Sequence, residues 1–231
     1  MLIIALASQK GGAGKTTLAG HLAVEAELSN AGPVALVDAD PQGSLAEWWN
    51  ARAADTPVFA HTSLSRLRDD VARMRDRGIR LLVIDTPPAI TATIGEVISI
   101  SDLVVVPVRP SPLDIRSVAR TVVLVEQFDK PLVFVINGAH PTARITNQAV
   151  IALSQHGTLA PSIIHQRTDF AASMIDGRTV MEMPRKSRSV NEIVLLWEYL
   201  RKRLERGLTK PVSLPYDGAE PDSAEPVHRF G

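Results

Sequence analysis

The chain has 231 residues, 45% of them hydrophobic and 22% charged, with a formal net charge of zero. That composition fits one globular domain with a full core, and not a chain built mainly to coat nucleic acid. There is no cysteine, which excludes a disulfide framework, a thiolate zinc site and a cysteine-ligated iron–sulfur cluster.

The opening MLIIALA is apolar, carries no basic leader and falls far short of the roughly 20 residues that span a bilayer. It predicts a first strand in a cytoplasmic protein. Next comes ASQKGGAGKTT, residues 7 to 17, a glycine-rich loop between a strand and a helix, which is the setting a phosphate-binding loop needs. Gly11, Gly12 and Gly14 let the backbone curl so that successive N–H groups, from Gly11 through Ala13 to Thr17, point at phosphate oxygens ahead of a helix N-terminus. Lys15 is placed to neutralise the β and γ phosphates of ATP, and the Thr16 hydroxyl to ligate Mg²⁺. Two features depart from the strict motif: Gln9 stands where its first glycine belongs, and a second lysine, Lys10, sits inside the loop.

The following segment TTLAGHLAVEAELSNAG has apolar residues at helical spacing and a closing Gly32. PVALVDADPQG then predicts a strand that delivers Asp38 and Asp40 at its end. In SLSRLRDDVARMRDRG, Leu64, Leu67, Val71 and Met74 form one helical face, and Gly78 ends it. RLLVIDTPP is a further apolar strand, ending in Asp85, at the position of an acid that holds Mg²⁺. DLVVVPV, PLVFVIN and APSIIH complete the strand series. Strands that are apolar along their whole length belong in a parallel sheet covered on both faces, so alternating strands and helices predict a doubly wound α/β fold without internal repeats. A last helix is predicted from Ser189, with Ser189 and Glu192 as a capping box and Val190, Ile193, Val194, Trp197, Leu200 and Leu204 as its buried stripe. Residues 1–207 are read as one domain, and 208–231, rich in proline and acid, as a disordered tail.

Together, QKGGAGKTT with Lys10, VDADPQGSL, VIDTPP and VPVRPSPLD resemble the deviant Walker A ATPases of the ParA/MinD group, and are most similar to small ParA-type partition ATPases. The resemblance covers roughly residues 1 to 205 and accommodates Gln9. It implies that Lys10 reaches across a homodimer to the phosphates of the ATP in the other subunit. Two triphosphates, each with about four negative charges, cannot face each other closely without cations between them. It further implies that Asp40 orients the attacking water, that Asp38 supports Mg²⁺ and the switch region, that Asn137 reads the adenine edge, and that Asp114 lies between the switch and the dimer face.

Between Arg185 and Arg206 stand seven basic residues, Arg185, Lys186, Arg188, Arg201, Lys202, Arg203 and Arg206, against three acids, a local excess of four. By the same resemblance this region binds double-stranded DNA without sequence preference, on the nucleoid, and a ParB-like or other cargo adaptor stimulates hydrolysis. A MinD-like membrane regulator is the competing expectation, since WEYLRKRLERGL sets basic residues beside leucines; the acidic tail that follows disfavours anionic lipid. A metabolic ligase of similar fold is disfavoured by Lys10 and VDADPQG.

Overall fold

A computed structural model of the chain describes residues 1–88, 92–184 and 187–208. In chain order its first half holds β1 (Leu2–Leu6), α1 (Lys15–Leu28), β2 (Val34–Asp38), α2 (Ser44–Asn50), β3 (Val58–Phe59), a 3₁₀ turn (Leu64–Arg66), α3 (Leu67–Asp76) and β4 (Leu81–Asp85). The second half holds α4 (Ala92–Ile100), β5 (Leu103–Val108), α5 (Pro112–Glu126), β6 (Leu132–Ala139), α6 (Ile145–Ser154), β7 (Thr158–Leu159), β8 (Ile164–His165), α7 (Thr168–Met174), a 3₁₀ turn (Val180–Glu182) and α8 (Arg188–Leu208).

The strands lie in the order β3-β2-β4-β1-β5-β6-β7, with β8 paired to the end of β6. Every pairing is parallel. The doubly wound α/β fold expected from the apolar strands is therefore the fold observed. Because the chain winds outward from β1 in both directions, the carboxyl end of β1 falls where the strand order switches, the place where open α/β sheets hold ligands.

Alternation along each strand feeds cores on the two faces of the sheet. Ile4, Leu6, Leu36, Val83 and Val105 pack under α1 and α8. Ile3, Ala5, Val37, Leu82 and Ile84 face the opposite way, onto Leu67, Val71 and Met74 of α3. Leu64, expected on that same face, lies in the preceding turn and is half exposed. Helix α1 is buried on nearly all sides, which explains its run of small residues: a Cβ on Gly20 would stand 3.2 Å from the Trp48 ring.

Several local expectations change. Helix α1 ends at Leu28, and Asn30, not Gly32, takes the left-handed turn (φ 61°). At Gly32 a Cβ would lie 2.1 Å from Glu27 Oε2, so a side chain there would displace the carboxylate that accepts the Val34 N–H at 2.6 Å. Helix α8 begins at Arg188 and runs through Leu208, one residue past the expected domain end. Ser189 does not cap it: its hydroxyl donates to Asp169, while Glu192 accepts from the His165 N–H and from the Arg167 guanidinium. The observed capping box is Thr179 with Glu182. The stripe of α8 is as expected with Leu196 added, Val190 and Val194 being only partly buried. The proposed tail, beyond residue 208, lies outside the described residues.

His21 shows how α1 is pinned. It is wholly buried; Nδ1 donates to the Thr17 carbonyl at 2.7 Å and Nε2 accepts the Val180 N–H at 3.3 Å. That pair of bonds requires the neutral ring with its proton on Nδ1. Burial pushes the ring pKa down to about 4 from 6.5, against smaller raising effects of the Thr17 carbonyl and Glu182. The unfolded chain therefore binds the extra proton between about pH 4 and 6.5, and the stability present above 6.5 is lost as pH falls through that window, by about 3 kcal/mol for this group. Urea unfolding of wild type and His21→Gln across pH 4–7 should show a shallower pH slope in the variant; equal slopes would contradict this reading of His21.

Candidate functional site

The loop between β1 and α1 carries left-handed glycines at Gly12 (φ 73°) and Gly14 (φ 93°), backbone that side-chain-bearing residues rarely adopt. Gly14 has a second reason to lack a side chain: a Cβ would sit 2.1 Å from Asn137 Nδ2. Asn137, near the end of β6, donates that amide nitrogen to the Ala13 carbonyl at 2.6 Å, and its Oδ1 has no hydrogen-bond partner among the described residues. Its observed contact is thus with the phosphate loop. Gly11 is exposed, Ala13 is buried, and Thr17 passes its carbonyl to His21.

The two loop lysines occupy different environments. Lys15 is buried; desolvation lowers its pKa, and Asp85 and Asp40 pull it back up. Lys10 stands at the rim of the loop, partly exposed, with no ion-pair partner among the described residues. It shares a crevice with Ser8, Asp114, Ser117 and Thr121. Asp114 itself sits in the first turn of α5, its N–H held by Ser111 Oγ at 3.2 Å and its carboxylate accepting the Ser111 hydroxyl. Gln9, at the departed glycine position, has a buried Nε2 without a hydrogen-bond partner.

Asp85 ends β4 almost wholly buried. Burial pushes its carboxyl up to about 7; the Thr16 hydroxyl and Lys15 lower it, Asp38 and Asp40 raise it. Thr16 Oγ1 donates to Asp85 Oδ2 at 2.5 Å, and Asp85 Oδ1 is buried with no hydrogen-bond partner. An orphaned carboxylate oxygen beside a threonine hydroxyl fits a divalent cation. Among the described residues no group of three or more His, Cys, Asp or Glu is placed to hold a metal, so the remaining positions would fall to phosphate and water, as suits Mg²⁺.

Asp38 is held by the backbone of its own loop. Oδ1 accepts the Asp40 N–H at 3.0 Å, and Oδ2 accepts the Leu45 and Ala46 N–H groups at 2.9 and 3.1 Å. Three backbone donors reach its two oxygens, so Asp38 fixes the loop that carries Asp40 while standing beside Asp85 in the sheet. Asp40 Oδ1 accepts the Gln42 N–H at 3.0 Å, and the residue lines a cleft of about 210 Å³ with Asp38, Thr62 and Ser63.

The description CobQ/CobB/MinD/ParA nucleotide binding domain matches residues 4–180. The chain belongs to this family. It is 29% identical over 206 residues to the maintenance of carboxysome distribution protein A of Halothiobacillus neapolitanus, covering 83% of this chain and 94% of that one. It is 28% identical over 196 residues to Protein ParA of Rhizobium radiobacter, covering 82% and 80%. An ATP complex of a Cyanothece McdA variant has the same fold, with TM-score 0.68 and 18% identity over 90% of this chain and 96% of that one.

In this CobQ/CobB/MinD/ParA domain the basic cluster near the C-terminus is not one patch. Arg185 and Lys186 lie outside the described residues. Arg188 is exposed at the start of α8, about 20 Å along the helix axis from Arg201 at 1.5 Å per residue. Arg201 and Lys202 are exposed, Arg201 faces Glu205 at 3.7 Å, and Arg203 donates to Thr158 Oγ1 at 3.4 Å. Arg201 and Arg203 each flank a cleft at Leu2, the first residue of β1, so they stand at the amino ends of the strands, across the sheet from the phosphate loop.

Sequence reasoning quoted VPVRPSPLD without singling out Arg109. It is the first residue beyond the carboxyl end of β5, a position an α/β sheet marks for ligand contact. The orphaned Gln9 amide and the Asp38 bonds to Leu45 and Ala46 carry no signal in spacing.

Proposed function

We propose that this protein is an ATPase whose ATP-bound homodimer holds double-stranded DNA without sequence preference and positions or segregates a cargo, with hydrolysis stimulated by a partner. The observation that carries the proposal is the division of labour between the loop lysines: Lys15 is buried among Asp85 and Asp40, and Lys10 is partly exposed and unpaired at the loop rim. A site serving only its own nucleotide has no use for the second lysine; one that meets another triphosphate needs it.

In this reading the loop N–H groups and Lys15 bind the phosphates, and Asn137 Oδ1 accepts from the adenine amino group. Thr16 and Asp85 would hold Mg²⁺, which would supply charge neutralisation on the β and γ phosphates. Asp40, held by Gln42 and by the Asp38-braced loop, accepts a hydrogen bond from the attacking water and orients it in line with the γ-phosphorus. Loss of that phosphate removes the group that each Lys10 reaches for, and the dimer separates. Relatives named for carboxysome distribution and for chromosome partitioning support a positioning role, with a plasmid, a chromosome region or a large protein assembly as cargo classes and a ParB-like or other adaptor as partner.

The membrane alternative loses its main support, because the apolar stripe of α8, Ile193, Leu196, Trp197, Leu200 and Leu204, is packed in the core. No helix among the described residues is long and apolar enough to cross a membrane. For DNA, the double variant Arg201→Glu, Arg203→Glu should weaken retention on duplexes of unrelated sequence to the same degree, with ATP·Mg²⁺ present and dimerisation intact. Unchanged retention would remove α8 from the DNA surface.

A further inference from the structure

We infer that Arg109 is a phosphate-contacting residue of the nucleotide site, a third cation beside Lys10 and Lys15. The inference rests on the nucleotide-binding reading above. Strand β5 ends at Val108, and the next residue projects its side chain back over the tip of the phosphate loop. A Cβ built on Gly12 would lie 3.9 Å from Arg109 Nη2, and one built on Gly138 would lie 3.8 Å from both Arg109 Cγ and Nε. The guanidinium therefore lies alongside two left-handed glycines, one in the phosphate loop and one directly after Asn137.

Nothing on the protein accounts for a charge at that place. Arg109 is exposed and has no carboxylate or side-chain hydrogen-bond partner among the described residues. Its own carbonyl accepts the Ser111 N–H at 2.7 Å, which fixes the backbone where the chain turns into α5. A planar fork of donors about 4 Å from where a Gly12 Cβ would stand, beside a loop curled to bind phosphate, is suited to bidentate contact with phosphate oxygens. Lys15 approaches the phosphates of its own chain's nucleotide from within the fold and Arg109 from the β5–β6 side, while Lys10, at the rim beside α5, is left for the nucleotide of the partner. Because Arg109 flanks its own loop, the contact is made to the nucleotide held by the same chain and does not wait for a dimer.

The test is titration of fluorescent ADP·Mg²⁺ and ATP·Mg²⁺ analogues into wild type, Arg109→Ala and Arg109→Lys, at protein concentrations where ADP leaves the chain monomeric. The expected result is that Arg109→Ala raises Kd for both nucleotides about tenfold or more, with partial recovery in Arg109→Lys. The nucleotide-free melting temperature should stay that of wild type, while the upward shift on adding nucleotide shrinks. Affinity within twofold of wild type in Arg109→Ala would overturn the assignment and leave the nucleotide-binding reading standing. A wild-type chain that binds neither nucleotide would overturn both.

Discussion

Lys10→Ala is expected to stay monomeric in ATP·Mg²⁺ at concentrations where the wild-type chain doubles its mass by light scattering. Nucleotide affinity of the single chain should change little, because Lys15, the loop N–H groups and Thr16 remain. The cause is electrostatic. Bringing two triphosphates to a shared interface sets like charges against each other in a partly dehydrated space, where each uncompensated pair costs several times what it does in water. Lys10 has no ion-pair partner among the described residues to hold it back, and its position at the loop rim lets it cross to a partner. A variant that dimerises like wild type would take away the reason for two lysines in one loop.

The second large effect is at Asp40. Asp40→Ala should lower ATP turnover by about 10²- to 10⁴-fold, the usual range for removing a positioned proton acceptor. It should also leave ATP-bound dimers that persist after wild-type dimers have separated. The fold should survive, since Asp40 is only partly buried and its one described side-chain bond is to the Gln42 N–H. Asp38→Ala should behave differently: it removes acceptors from the Asp40, Leu45 and Ala46 N–H groups together, and so loosens the loop as well as slowing turnover. Unchanged turnover in Asp40→Ala would place the water-orienting group elsewhere.

The strands that build the site were legible in the sequence because each is an unbroken apolar run, a pattern that both-face burial in a parallel sheet imposes. Strands β3 and β7 were not, because two residues are too few to carry any period. APSIIH was read as one strand, yet it meets β6 in two places, at the Ala160 N–H and again at Ile164–His165, Ser162 between them having turned away to donate to the Glu192 carbonyl. The phosphate loop was legible because its glycines answer to local backbone geometry. Side-chain partners far apart in sequence were hidden. Glu192 looks like a capping residue until β8 brings His165 and Arg167 against it. Arg52 looks like a loop residue until it is found on Glu182 at 2.8 Å, nearly wholly buried and stacked 4.9 Å over Trp48. Asp38 and Asp40 share one sequence context, and only the fold shows that the first accepts three backbone N–H groups and the second one.

The measurement that bears most directly on the account is binding of the wild-type chain to a random-sequence DNA duplex with ATP·Mg²⁺, ADP·Mg²⁺ and no nucleotide, at two salt concentrations. Binding is expected with ATP·Mg²⁺ alone, equal across duplex sequences and weakened by salt. Equal binding in all three nucleotide states, or none in any while ATP still dimerises the chain, would contradict it.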